Sequence, residues 1–297
     1  MEKYQLIKHK NGQKYFFRFS LHQRIQHVVL ATTVVVLVLT GMPLKFHDAF
    51  WAHYLYALFG GIKAAPIVHK IAGTILLILF VHHLIYLIYT FFKFQIIPLK
   101  NNKELSLGKV LKSLVTQPLI PNWKDVKDIL NLLKYLLFIT DKRPEGARFT
   151  WKEKFDYWAP FWGIVIIGSS GLIMWNKELV TKFLPGETIN FALIAHSDEA
   201  LLAALFLFIW HFYNVHFSTS VFPMGTVFLT GYLSEELMVE EHYQYYKEVM
   251  QAAGLEDEIL SPHGSRAPET KEVIPKAERE EEKLPPHGGI LKKGLAS

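Results

Sequence analysis

The sequence has no cysteine among its 297 residues. That excludes disulfides, thiolate zinc sites, cysteine-ligated iron–sulfur clusters and covalently attached c-type haem, each of which needs sulfur. Charge is scarce in four long stretches, although Asp, Glu, Lys and Arg make up 20% of the chain. Leu, Ile, Val and Phe dominate there, and about 18 such residues can cross a hydrocarbon core of roughly 30 Å. A purely soluble chain is excluded. The first stretch is long for a signal-peptide core and no small-x-small cleavage site follows it, so it reads as a retained helix. The net charge of +5 is modest and unevenly placed, which fits membrane orientation and not nucleic-acid binding.

The expected fold class is all-α: a transmembrane four-helix bundle with a cytoplasmic amphipathic helix and a disordered C-terminal tail. Residues 1–25 form a basic cytoplasmic segment with six Lys or Arg against one Glu. Residues 26–220 form the membrane domain, with helices expected at about 26–44, 66–94, 157–175 and 189–217. The first ends at the breaker Gly41-Met42-Pro43, and Pro66 suits the first turn of the second. The link between helices two and three is rich in Lys and Arg. Within it WKDVKDILNLLKYLLFI, Trp123 to Ile139, has helical apolar spacing but is too charged to span, which predicts a surface-lying helix. Residues 221–253 read as an interfacial and cytoplasmic segment, and 254–297 as a Pro-, Glu- and Lys-rich disordered tail. The basic residues put both termini and the long link in the cytoplasm.

Fourteen histidines remain, several of them inside apolar stretches. An ionisable group in hydrocarbon is costly, so each is a functional candidate; the plain alternative is one imidazole bonding between helices. In helix two His69 and His83 differ by about 40° in direction and about 21 Å in height. In helix four His196 and His211 differ by about 60° and about 22 Å. The two helices run antiparallel, so His196 shares the outer level with His69, and His211 the inner level with His83. Two imidazoles per level suit a bis-His b-type haem, an electron-transfer centre. His27 also starts helix one at the inner level, so three imidazoles compete there for two axial positions, and spacing does not choose. His82 points to another face. Asp198 and Glu199 beside His196 leave room for a metal or proton-relay site.

The run RIQHVVLATTVVVLVLTG in helix one, PIVHKIAGTILLILFVHH in helix two, KFDYWAPFWGIVIIGSSGLIMW in helix three and LIAHSDEALLAALFLFIWHFYNVHF in helix four carry a resemblance over roughly residues 15–220. Together they resemble bacterial di-haem b-type cytochrome membrane subunits: the formate dehydrogenase gamma subunit, the nickel–iron hydrogenase cytochrome b subunit and thiosulfate-reductase-like relatives. The resemblance implies that His27 and His211 hold the inner haem and His69 and His196 the outer one, with His83 the rival inner ligand. It favours His27 because Arg24 opens the matching RxxH. The family's helix-four pair is commonly fourteen apart, against fifteen here. It also implies a quinone site beside the start of helix three, which would fall on Thr150–Asp156.

Gly73, Gly168 and Gly171 would let a porphyrin or a neighbouring helix come close. Arg24, Lys70 and Arg148 are candidate propionate contacts, and Trp158, Trp162, Trp175 and Trp210 read as belt or core residues. The expected function is electron transfer between the quinone pool and a periplasmic multihaem or metal-containing partner, as a subunit of an oxidoreductase in the bacterial inner membrane. The partners are lipid, quinone and other redox subunits. Two other classes are a proton- or ion-translocating protein using the histidines as a relay, and a structural anchor. The first lacks an internal repeat or broken helices.

Overall fold

The computed structural model describes residues 6–10 and 12–261. In chain order the elements are β1 (Ile7–Lys10), β2 (Gln13–Phe17), α1 (Leu21–Lys45), α2 (Ala52–Leu58), α3 (Ala65–Phe91), α4 (Ile97–Asn101), α5 (Leu107–Val115), α6 (Trp123–Leu136), α7 (Trp151–Trp175), α8 (Lys177–Val180), α9 (Glu187–Leu205), α10 (Val227–Thr230), β3 (Tyr232–Ser234), α11 (Glu235–Glu241) and α12 (Tyr243–Ala252). Four helical spans are long and apolar enough to cross a membrane: Leu21–Lys45, Ala65–Asn101, Trp151–Trp175 and Glu187–Phe217. The second exceeds α3 because the π-helical turn Phe92–Ile96 runs on into α4, and the fourth exceeds α9 because the π-helical turns Phe206–His211 and Tyr213–Phe217 follow it.

Each span starts where its local chemistry satisfies the orphan amides of a first turn. Ser20 and Gln23 form a capping box on α1, Thr150 and Glu153 another on α7. A Pro in the first turn opens α3. The breaker expected at Gly41-Met42-Pro43 does not break α1, which continues to Lys45. Pro43 lies in the last turn, where the helix is ending in any case.

Packing is by hairpins. α1 lies along α3 and α7 along α9, whereas α3 with α7 and α1 with α9 meet over far shorter stretches. The two hairpins therefore stand apart and leave a slot down the middle of the bundle. Large apolar side chains such as Ile71, Ile78, Ile85 and Phe208 point outward and are exposed, as a lipid-facing surface requires. α6 is tied to the start of α7 by a buried Asp125–Lys154 ion pair at 2.8 Å.

The all-α expectation describes the membrane part, but outside it the short strands form an antiparallel sheet in the order β1-β2-β3, with Phe16 opposite Leu233. This sheet joins the N-terminal segment, expected to be merely basic, to the segment after the bundle, expected to be interfacial. Phe16, Leu233, Met238, Tyr246, Val249 and Met250 form a compact core between the sheet and α11–α12. Phe16 meets Tyr246 edge-to-face at 5.5 Å. Residues 254–261, expected to begin the tail, are ordered onto this module: Leu255 and Ile259 pack on its core and the Leu260 amide donates to the Tyr246 hydroxyl at 3.2 Å. Residues 262–297 lie outside the described residues.

The module is fixed to the bundle by buried polar groups. Arg18, 3% exposed, pairs with Glu153 at the start of α7 at 2.5 Å and donates to the Arg148 carbonyl. His242 Nδ1–H donates to the Ala147 carbonyl at 2.9 Å. Gly146 is required here, because a Cβ would sit 1.8 Å from the Glu241 oxygen.

Burial holds the His242 pKa below the ordinary histidine value, and Arg18 adds to this, against the opposing pull of Glu153. The folded module thus keeps His242 neutral while the unfolded chain takes up a proton, so its stability is full above about pH 6.5 and falls as pH drops. Hydrogen exchange should show amide protection in β1–β3 and α11–α12 decreasing below that pH while α3 and α9 keep theirs. A His242→Gln variant should flatten this dependence.

Candidate functional site

The slot between the hairpins is a cavity of about 1830 Å³, lined mainly by Leu, Val, Ile and Gly. That exceeds the roughly 300–1,000 Å³ of a single small-molecule site. Four histidines reach it: His27 on α1, His69 on α3, and His196 and His211 on the fourth span. They face each other in pairs. The ring centroids of His69 and His196 are 6.1 Å apart, those of His27 and His211 6.4 Å.

A metal ion held by two imidazoles on opposite sides, with bonds of about 2 Å each, puts the ring centroids at about 6 Å. Direct imidazole–imidazole hydrogen bonds are not among those of the described residues at either pair. The spacing, the apolar walls and the cysteine-free donor set fit iron within a flat macrocycle, and the residues present fit the haem expected from the sequence.

The tautomers agree with that fit. The Thr40 hydroxyl donates to the Val36 carbonyl at 2.7 Å, so its oxygen accepts from His69 Nδ1–H at 2.8 Å. His196 Nδ1–H donates to the Ile167 carbonyl at 2.8 Å. Both outer rings therefore keep the Nε2 lone pair for a metal, the arrangement by which a second contact orients a ligating imidazole. Two glycines make room: a Cβ at Gly41 would lie 3.0 Å from His69 Cε1, and one at Gly171 3.1 Å from His196 Cε1. A Cβ at either position would crowd the ring, which would have to give by a few tenths of an ångström.

At the inner level His211 Nδ1 lies 3.5 Å from an Asp156 oxygen. The other Asp156 oxygen and His27 Nδ1 are buried without a protein partner, as are Trp210 Nε1 and His216 Nδ1. His216 is 8% exposed, lines the cavity and, like His27, packs against Phe228. Neither His216 nor Asp156 stood out in the sequence. His216 falls five residues after His211, a spacing that shares a face only once the helix is π-helical.

That same π-helical run accounts for the fifteen-residue interval between His196 and His211. Phe206–His211 is π-helical, with wider turns than an α-helix. One residue is absorbed there, so fifteen residues turn the chain about as far as fourteen would in a regular helix.

His83 does not line the cavity. Both of its nitrogens are engaged: Nδ1–H donates to Gln26 Oε1 at 2.7 Å and Nε2 accepts from the Tyr157 hydroxyl at 3.1 Å. Of the three basic residues expected near anionic groups, only Lys70 lines the cavity, with Nζ 5.3 Å above the Trp175 ring. Arg24 donates to the Leu229 carbonyl. Arg148 is buried over the Phe149 and Tyr245 rings of the module, and this burial lowers its pKa. Lys45, not singled out in the sequence, lines the outer mouth and pairs with Asp198 at 2.6 Å. Among the described residues no group of three or more His, Asp or Glu is placed to hold a bare metal ion, which leaves paired imidazoles as the candidate ligands.

Comparison with known proteins bears on this geometry. Residues 18–229 match the family described as prokaryotic cytochrome b561. The cytochrome b556(fdo) subunit of formate dehydrogenase from Escherichia coli K12 is 22% identical over 235 residues, 78% of this chain and 92% of the relative. The cytochrome b556(Fdn) subunit of the nitrate-inducible formate dehydrogenase of the same strain is 19% identical over 135 residues, 45% of this chain and 59% of the relative.

Proposed function

The chain belongs to the prokaryotic cytochrome b561 family, and from that premise we propose that it carries electrons across the membrane through two b-type haems, one at each imidazole pair. It is a multi-pass b-type cytochrome of the bacterial inner membrane and works with other redox subunits. His69 and His196 would hold the outer haem, and His27 and His211 the inner. The observation that carries this reading is the pair of ring separations, 6.1 and 6.4 Å, at two levels of one apolar cavity.

When bound, each haem would supply reversible one-electron chemistry, with two imidazoles of this chain to hold it. The chain contributes the rest. Thr40 and the Ile167 carbonyl fix the outer rings with Nε2 inward. The apolar lining excludes water, which together with ligand choice sets the potential. Lys70 and Lys45, both at the outer end of the cavity, are the cations that would hold propionates there. Asp156 lies in the Thr150–Asp156 segment and reaches His211. Quinone or quinol exchanges electrons at this inner level, and a periplasmic redox subunit exchanges them at the outer one. Both termini are cytoplasmic, as the basic N-terminal segment favours.

Purified in mild detergent, the protein should give two haems per chain in a pyridine haemochrome assay. His69→Ala and His196→Ala should each remove the same haem, and His27→Ala and His211→Ala the other, while His83→Ala keeps both. A colourless wild type, or a haem lost from His83→Ala and retained in His27→Ala, contradicts the assignment.

The π-helical run offers a second test. Deleting Leu207 should restore a regular helix with both haems retained. Inserting an alanine after Leu207 rotates His211 by about 100° and should abolish the inner haem alone, as seen in the reduced-minus-oxidised spectrum.

A further inference from the structure

A second polar cluster stands at the inner level, outside the cavity. Gln26 is buried and bridges two histidines: its amide nitrogen meets His22 Nε2 at 2.6 Å and its oxygen accepts from His83 Nδ1–H at 2.7 Å. His83 Nε2 then accepts from the Tyr157 hydroxyl at 3.1 Å. The hydrogen-bonded set joins α1, α3 and α7. His22 is exposed, and its ring lies 5.3 Å from that of His82, also exposed.

This cluster is back to back with the inner imidazole pair. Gln26 and His27 are consecutive on α1, the first turned to His83 and the second to His211. Asp156 and Tyr157 are consecutive on α7, the first turned to His211 and the second to His83. One helix wall on each side thus separates an electron site from a proton-accepting group. Gln26 also decides the chemistry of His83. An amide oxygen can only accept, so the Nδ1 proton is fixed and Nε2 is left basic, with the Tyr157 hydroxyl on it.

We propose that the His83–Tyr157 pair, positioned by Gln26, accepts the proton of a quinol hydroxyl beside the inner haem and returns it in the reverse reaction. This rests on the haem and quinone reading above and goes beyond it by assigning the proton acceptor. In each step a quinol O–H bond breaks. Its proton bonds to the Tyr157 oxygen as the Tyr157 proton moves to His83 Nε2, and the one electron released would go to the haem that His27 and His211 would hold. Two such steps turn one quinol into quinone and release two protons and two electrons. The imidazolium formed is held by the Gln26 oxygen and loses its proton to cytoplasmic water at the edge where His22 and His82 are exposed. The titratable groups facing His83 are His22 from α1, His82 and Tyr86 from α3, and Tyr157 from α7. None of these is a carboxylate, so the proton is not trapped by one.

The test uses full-length protein in detergent and menadiol as the quinol. Tyr157→Phe removes one oxygen and His83→Phe the base; Gln26→Leu leaves both but frees the tautomer. All three should keep two haems and full reduction by dithionite. Menadiol-driven haem reduction should fall on the order of a hundredfold in the first two. The acid limb of its pH–rate profile should vanish in His83→Phe and shift in Gln26→Leu. Menadiol-minus-menadione infrared difference spectra should carry a protonated-imidazole band in wild type that is missing from His83→Phe. Wild-type rates and pH profile in both Tyr157→Phe and His83→Phe overturn the assignment of the pair. A wild type that dithionite reduces and menadiol does not overturns the quinone reading, and with it the pair's role.

Discussion

A neutral imidazole keeps a lone pair on one nitrogen only if something accepts the proton on the other. In this protein that constraint organises the membrane domain. Thr40 and the Ile167 carbonyl take the Nδ1 protons of His69 and His196, and two glycines let these rings lie against the opposite helix. The rings then meet across the gap between the hairpins without bonding each other. Two helical hairpins that packed directly would close the gap and leave imidazoles unpaired in hydrocarbon, an expensive arrangement. In the proposed arrangement the haems supply the missing apolar surface and the hairpins pack on them instead of on each other.

The inner level obeys the same constraint less completely. His211 has Asp156 at 3.5 Å, while His27 Nδ1 has no partner. Third and fourth imidazoles, His216 and His83, stand nearby in different roles: one in the cavity, the other in a hydrogen-bonded set on the far side of the helix wall. In the proposed function this end exchanges both electrons and protons, which gives it reason to be richer in titratable groups than the end that passes electrons alone.

Much of this was legible in the sequence for a simple reason. Long apolar runs leave no choice about which segments span, and histidines in hydrocarbon are rare enough for their spacing to carry information. What spacing could not supply was anything that depends on two helices at once. The hydrogen bonds that hold His83 outside the cavity come from Gln26 and Tyr157, contributed by α1 and α7. The fifteen-residue interval in the fourth span looked irregular only because a constant 100° per residue does not hold through a π-helical run. The sheet is not legible in the sequence because its strands have three to five residues, too few to display alternation, and β2 pairs with β3 across more than two hundred positions. Arg24 and Arg148 looked like anion contacts by position, but local carbonyls and aromatic rings engage them first.

Two imidazoles clamping each iron are the core of the proposed function. Low-temperature electron paramagnetic resonance of the oxidised protein addresses that directly, because ligand number and type set the spin state of ferric haem. Two low-spin signals with bis-imidazole character, in equal amounts and with no high-spin component, are the expected result. A stoichiometric high-spin signal, or low-spin signals that survive unchanged when His69 and His211 are both replaced, would contradict it.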